Sequence, residues 1–355
     1  MRKLIFSVLI FLGCAQPDSA PTPSQAFESF VNDFTTSTEQ MESEGDLSAS
    51  FFSQQQAQTR EWLARLHQID TTQLSPADRV DWLFARTILR GRQLELEQIR
   101  PWTKDPRVYM NFLPLSRILE SADNDSVKSI RLTKHLRLIT SQLQNGLNQI
   151  DVNVPRFRAL SLHMAENSVE LFQGQLQAFI QSTGGKDSSL VVARQEALQS
   201  VLTFITFLRD SLPQKPVGNF AIGRAVYDSL LQDHFLLGHD ADYWYNYGWE
   251  KYNETFNELE ALASNLHPSK SWLELANDIK KEGPAPEEMI AAHQKWVDLS
   301  REHLIAKNLM PVPWKESVKV VPREPYLRKT SYYGNFSLAK GLSADSTFRS
   351  EWRIN

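Results

Sequence analysis

The sequence predicts a mainly α fold: a multi-helix array with a small extended element near the C-terminus. Glycine is scarce, with 14 among 355 residues, whereas globular proteins average about 7%. Apolar residues recur three and four positions apart through most of the chain, as they do on one face of a helix. The sequence shows no fixed-period repeat, so we do not expect a solenoid of identical units.

The N-terminus is typical of an export signal. Met1-Arg2-Lys3 is followed by a short apolar stretch and then by Gly13-Cys14. The stretch is shorter than the ~20 residues that cross a bilayer. A small residue directly before the only cysteine resembles a bacterial lipobox, so we expect Cys14 to be lipidated and to become the mature N-terminus. The alternative is a buried or incidental cysteine. A single cysteine also allows no intramolecular disulfide.

Domain boundaries follow from these patterns. Residues 1–14 are predicted to be a lipoprotein signal peptide, and residues 15–25, rich in Pro, Ser and Ala, a flexible tether. The protein would then be exported, and a lipid would anchor it to the membrane in the periplasm or at the outer membrane. Residues 26–310 are predicted to form the helical domain.

Helices in that domain are marked by their starts, apolar faces and stops. Ser75-Pro76 is a start signal, because Ser caps the backbone and Pro suits the first helical position. A long helix is predicted from one apolar face: Leu132, Leu136, Ile139, Leu143, Leu147 and Ile150. Further helices are predicted to end at Gly184-Gly185, at Pro213 and near Pro268, and one more to begin near Pro284.

Residues 311–355 are predicted to be an extended and looped tail. Val318 and Val320 alternate with Lys319, which indicates a short extended element at residues 316–325. The tail also carries apolar residues that we expect to lack packing partners: Phe336, Leu338, Leu342, Phe348, Trp352 and Ile354.

Signals for catalysis or metal binding are weak in this chain. The net charge is −4, which gives no basic surplus for nucleic acid. The sequence has no His-Glu dipeptide, nucleophile elbow, P-loop or dinucleotide fingerprint. His234 and His239 are five residues apart, a poor spacing for one helical face, and His293 lies on an apolar stripe typical of a core histidine. We therefore assign no catalytic residue, no metal ligand and no cofactor to this chain.

Two aromatic segments could line a surface. Tyr243 to Trp249 could stack sugars or bases, although packing between helices is the favoured interpretation. Arg328, Tyr332 and Tyr333 are candidates for a substrate cleft; the alternative is that they cover a neighbouring subdomain.

Several segments together resemble the bacterial domain-of-unknown-function family 885. They are Ser75-Pro76 with the helix after it, VPRFRALSLHMAENSVELFQGQL, AIGRAVYDSLLQDHFLL, YGWEKYNETFNELEALA, and the region from Pro284 through PREPYLRKTSYYGNFS. The resemblance runs from about Phe27 to the end and rests on order and pattern.

The resemblance implies a zinc metallopeptidase, a hydrolase with a largely helical, gluzincin-like fold. Members of that family look as if they hold zinc on a His-Glu pair followed closely by Pro-Gly-His, downstream of the segment that resembles Pro322 to Asn355. This chain ends before that point, so no residue here inherits a zinc-ligand or acid–base role. The implied partner is a missing C-terminal catalytic half, with residues 311–355 as its beginning.

Two hypotheses remain open. The chain would be a truncated copy of an exported, lipid-anchored zinc peptidase that acts on short peptides and is inactive alone, with zinc expected in full-length relatives. Alternatively, it would be a non-catalytic helical envelope lipoprotein that binds glycan or a protein partner.

Overall fold

The computed structural model describes residues 22–121, 123–185, 187–310, 316–330, 333–337 and 348–355. The prediction of a mainly α fold with a small extended element near the C-terminus is confirmed. The helices are α1 Pro23–Glu44, α2 Ala49–His67, α3 Pro76–Leu94, α4 Leu113–Glu120, α5 Asp125–Gln149, α6 Pro155–Glu170, α7 Leu176–Ser182, α8 Ser188–Thr206, α9 Arg224–Ser229, α10 Ala241–Leu266, α11 Trp272–Lys281 and α12 Met289–Ala306.

Helix ends lie where the sequence supplies cap chemistry. α3 begins at Pro76, and the Ser75 hydroxyl accepts a hydrogen bond from the Asp78 amide at 3.1 Å. α1 begins at Pro23, inside the segment assigned to the tether. α7 ends at Ser182, just before Gly184 and Gly185, which both adopt positive φ.

The main core is formed largely by α5 and α8. The α5 side chains Leu132, Leu136 and Ile139 are fully buried, as their spacing predicted. They belong to one apolar cluster with Phe172 and Phe204. Burying a side chain of this size contributes roughly 1.5–3 kcal/mol, so the contacts of this pair of helices stabilise the fold.

A second apolar cluster joins α1, α2 and α3. Phe27 and Phe30 of α1 pack there with Trp62 and Leu66 of α2 and Leu89 of α3. The Phe30 and Trp62 rings meet edge to face, with centroids 5.5 Å apart. The Trp82 indole donates a hydrogen bond to the Leu66 carbonyl at 3.0 Å. These contacts attach the first three helices to one another.

Four helices continue into a single π-helical turn. These turns are Glu95–Ile99 after α3, Leu171–Gln175 between α6 and α7, Phe207–Ser211 after α8 and Leu230–His234 after α9. A π-turn adds one residue to the helical repeat and re-aims the side chains that follow it, and such turns occur frequently at functional sites. The turn at Leu171–Gln175 lies beside the cavity described below.

A three-stranded sheet follows the helices. Its strands are β1 Glu316–Pro322, β2 Asn335–Ser337 and β3 Phe348–Ile354. β3 is central, parallel to β1 and antiparallel to β2. Gln294 of α12 donates to the Val318 carbonyl at 3.0 Å and accepts from the Val320 amide at 2.8 Å. The Gln294 side chain therefore satisfies two backbone hydrogen-bonding groups on the outer edge of β1.

The tail differs from its prediction in its strands and at one apolar residue, since β2 and β3 lie outside the single extended element predicted at residues 316–325. Ile354 is buried, and β3 pairs it with Pro322 of β1. Phe336 and Trp352 are half-exposed and lie opposite each other across β2 and β3. Leu338 and Leu342 lie outside the described residues, and the structure does not describe the Phe348 side chain.

Helices α10, α11 and α12 expose much apolar surface. Ala263 is the one buried residue that the structure describes in these three helices. The exposed side chains on α10 include Tyr245, Trp249 and Leu262, and Trp296 is exposed on α12. None of the described helices is both long and apolar enough to cross a bilayer.

Candidate functional site

A cavity of about 190 Å³ lies between the helical array and the C-terminal sheet. Its walls come from α4, from the end of α6 with its π-turn, from the segment after β1, and from β3. The lining residues are Ser116, Glu120, Asn167, Glu170, Leu171, Gln175, Pro322, Arg323, Glu324, Pro325, Tyr326, Arg328 and Arg353. The cavity gathers charged residues that are far apart in the chain.

Of the three residues proposed for a substrate cleft, the structure places Arg328 at this cavity. Arg328 lies on the 3-10 helix Pro325–Thr330, and its Nε donates to the Arg323 carbonyl at 3.3 Å. Tyr333 is 87% exposed and is not among the lining residues. Tyr332 and the proposed lipidation site Cys14 lie outside the described residues.

The π-turn after α6 shapes one wall. Leu171 and Gln175, its first and last residues, both line the cavity. A Cβ at Gly174 would lie only 2.0 Å from Glu170 Oε1. Glycine at position 174 therefore leaves room for the Glu170 carboxylate to lie along the helix beside the cavity.

Arg353 is the buried centre of an ionic network. It is 2% exposed, and its guanidinium contacts three carboxylates: Glu324 at 2.5 Å, Glu351 at 2.7 Å and Glu120 at 3.2 Å. Burial acts to lower the pKa of Arg353, but these carboxylates together raise it above its usual value. Arg353 therefore stays charged, and it holds α4, β3 and the segment after β1 together.

Two buried polar groups on the segment after β1 complete the site. Glu324 is 7% exposed, and its Oε2 has no hydrogen-bond partner among the described residues. Tyr326 is also buried, and burial raises the pKa of its hydroxyl to about 12. The hydroxyl is therefore neutral at physiological pH. Its ring packs edge to face on Phe112 of the main core, with centroids 6.2 Å apart.

Sequence reasoning missed Glu120, Glu324 and Arg353. Their chain separation hides the cluster, because Arg353 and Glu120 are 233 positions apart. Glu324 does stand between two prolines in Pro322-Arg323-Glu324-Pro325, and charged residues in such a constrained run are a signal that could have been noted.

The three histidines considered in the sequence have separate structural roles. His234 Nδ1 lies 2.9 Å from the Thr87 carbonyl and fixes the π-turn after α9 against α3. His239 stacks on Tyr243 with ring centroids 3.7 Å apart. His293 Nδ1 lies 2.8 Å from the Met289 carbonyl. In the part of the chain that the structure describes, no group of three or more His, Cys, Asp or Glu could hold a metal ion.

The aromatic run on α10 differs from the favoured packing interpretation. Tyr243, Tyr245, Tyr247 and Trp249 are each at least 42% exposed. Their rings pack against one another along the helix surface; the ring centroids of Tyr243 and Tyr247, for example, are 6.4 Å apart. The periodicity correctly indicated a helix, but the core does not cover this face.

Comparison with known proteins identifies a family and a fold. A family model described as "Bacterial protein of unknown function (DUF885)" matches residues 36–344. A solved structure of a predicted lipoprotein of unknown function from Shewanella oneidensis is similar, with a TM-score of 0.66 and 14% sequence identity. The similarity covers 95% of this chain and 65% of the Shewanella chain. No curated protein matches the sequence.

Proposed function

The chain belongs to the bacterial family of unknown function DUF885, and from this premise we propose that it is the helical part of an exported, lipid-anchored zinc metallopeptidase. The proposed substrates are short peptides. The similarity to a predicted lipoprotein supports an envelope location. Cys14, next to the small residue Gly13, remains the proposed anchor.

The observation that carries the proposal is the cavity beside the sheet. Arg328 and Glu170 offer opposite charges at its wall, and Asn167 and Gln175 offer side-chain amides. Amides and charges suit the peptide group, which carries both a hydrogen-bond donor and an acceptor. The cavity has a volume of about 190 Å³. It therefore suits a short ligand.

Zinc does not fit the residues described here, since no suitable ligand group is present among them. We therefore derive no catalytic step for this chain. In the proposal, zinc belongs to a further polypeptide segment, and these residues bind and orient the peptide.

The exposed faces of α10 and α12 support a further segment of this kind. Trp249 and Tyr252 on α10, and Trp296 and Leu299 on α12, are at least 42% exposed. Apolar surface of this extent is typical of an interface. The chain spans about 65% of the Shewanella structure. The rest of the Shewanella chain is therefore long enough to include a segment of this kind. We propose that it covers α10 and α12.

The test uses the native gene product, extracted in detergent from its own membranes. We expect bound zinc by atomic emission, hydrolysis of a dipeptide library, and loss of hydrolysis with a chelator that added zinc reverses. Residues 1–355 made alone should show neither zinc nor hydrolysis. A Cys14→Ser variant should move to the soluble fraction. A native preparation with neither zinc nor hydrolysis would contradict the proposal.

A second candidate is glycan binding by a non-catalytic envelope lipoprotein. The exposed rings of α10 favour it, because aromatic faces can stack on sugars. Titration with envelope oligosaccharides should then change tryptophan fluorescence, and a Trp249→Ala variant should reduce the change. A flat titration of the unmodified protein would remove this candidate.

A further inference from the structure

Glu324 has an unsatisfied acceptor in a buried place. Oε1 of this carboxylate accepts from Arg353 at 2.5 Å, whereas Oε2 accepts from none of the described residues. An ionised carboxylate oxygen without a donor costs free energy when it is shielded from water. Because Glu324 lines the cavity, a donor placed inside the cavity would satisfy this oxygen.

The charged residues around the cavity indicate whether that donor group is cationic or anionic. Glu120, Glu170 and Glu324 line it, as do three arginines, Arg323, Arg328 and Arg353. Glu351 adds a fourth carboxylate on the Arg353 guanidinium. The lining carboxylates and arginines balance one another, and Glu351, outside the lining, adds one negative charge. Together with the unpartnered Glu324 Oε2, this balance favours a cationic donor over an anionic ligand. An organic cation fits better than a metal ion, since these residues form no metal-binding group.

The position of Arg328 indicates which second polar group the cationic ligand carries. Arg328 is exposed at the wall of the cavity, whereas Glu324 is buried. A ligand with its cation at Glu324 would present its next polar group, a carbonyl oxygen or a carboxylate, towards the side of the cavity that holds Arg328. A peptide with a free amino terminus has this order of charges.

We propose that the cavity binds the free α-amino group of a short peptide, with Glu324 as its carboxylate acceptor. This inference rests on the proposed function and narrows its substrates to peptides with an unblocked N-terminus. The ammonium donates hydrogen bonds to Glu324 Oε2, and Arg328 lies on the side of the following carbonyl. The neutral Tyr326 hydroxyl adds no charge to the cavity.

The test is calorimetric titration of residues 1–355 with three probes: L-alanyl-L-alanine, its N-acetyl derivative and its C-terminal amide. The free dipeptide and the amide should bind with similar affinity, because both keep the ammonium. The acetylated dipeptide should bind at least tenfold more weakly. This comparison changes only the ligand, so it does not depend on a variant that folds.

A variant then assigns the acceptor. Glu324→Gln should weaken binding of the free dipeptide at least tenfold and leave the weak binding of the acetylated dipeptide unchanged. Glu97→Gln, which removes an exposed pairing with Arg60 at 2.7 Å, is the matched control and should bind like the unmodified chain.

The outcomes separate this inference from the proposed function. Equal binding of free and acetylated dipeptides would overturn the role of the amino group. Absence of dipeptide binding, while the native preparation still hydrolyses peptides, would overturn this cavity as the site. Absence of zinc and hydrolysis in the native preparation would overturn the proposed function itself.

Discussion

Arg353 is a buried charge held by three carboxylates, and its removal leaves those carboxylates without a counterion. Arg353→Met should therefore lower the free energy of unfolding by about 3–5 kcal/mol. The exposed pair of Arg60 and Glu97 provides the control, and Arg60→Met should cost no more than about 1 kcal/mol. Urea unfolding followed by circular dichroism measures both changes.

A double variant tests the cause of this loss. Arg353→Met combined with Glu324→Leu removes the buried cation and its closest partner, so it should recover part of the stability. If Arg353→Met alone costs less than about 1 kcal/mol, the network does not hold the sheet against α4 in the way described.

At the scale of single residues, the sequence pointed to one residue of the cavity wall. Arg328 was named with Tyr332 and Tyr333 as a candidate for a substrate cleft, and it lines the cavity; its role in binding stays a prediction. Glu324 and Arg353 were not candidates, since charged residues usually lie in solvent. Their burial depends on mutual pairing between distant segments, and such pairing leaves no local pattern.

At the scale of the helices, two glycines have opposite roles. A Cβ at Gly146 of α5 would lie 2.9 Å from the Tyr109 ring and 3.0 Å from the Phe204 ring, whereas a Cβ at Gly248 of α10 would meet nothing within 4 Å. Gly146→Ala should destabilise the protein by about 1–3 kcal/mol through overpacking. Gly248→Ala should stabilise α10 by up to about 1 kcal/mol, because alanine has the higher helix propensity.

Chemical unfolding of the two variants checks this contrast. Gly248→Ala is the matched control, since it makes the same change at a helical position where the added Cβ has open space around it. Equal effects of the two substitutions would show that α5 does not approach Tyr109 and Phe204 this closely.

Periodicity predicted helices better than it predicted their surroundings. The face of α5 that carries Leu132 and Leu136 was expected to be buried and is buried. A helix was also predicted to end near Pro268, and α10 forms there, yet its apolar residues Tyr252 and Leu262 are both 55% exposed. The 3.6-residue period reports the local backbone, whereas burial depends on which element packs against the face.

At the scale of the whole molecule, stability is uneven. The main core around α5 and α8 contains many fully buried side chains, whereas α10 to α12 contribute only Ala263 among the buried residues that the structure describes. Amide hydrogen exchange should therefore be slowest in α5 and α8 and at least tenfold faster in α10 and α12.

Mass spectrometry of exchanged peptides measures this difference in residues 1–355 made alone. In the native gene product, the proposed covering segment should slow exchange in α10 and α12. Uniform protection from exchange across all these helices in residues 1–355 would contradict the predicted difference in local stability.

The strand order of the sheet sets a time order for folding. β3, the last of the three strands that the structure describes, is the middle strand, so β1 and β2 cannot reach their shared neighbour until residues near Ile354 have left the ribosome. Chains generally fold N-terminal regions first during synthesis, and α5 and α8 are complete long before that moment. Arg353 then arrives last to meet Glu120, 233 positions earlier. The proposed peptide binding in the cavity would therefore begin only after residues near Ile354 have been synthesised.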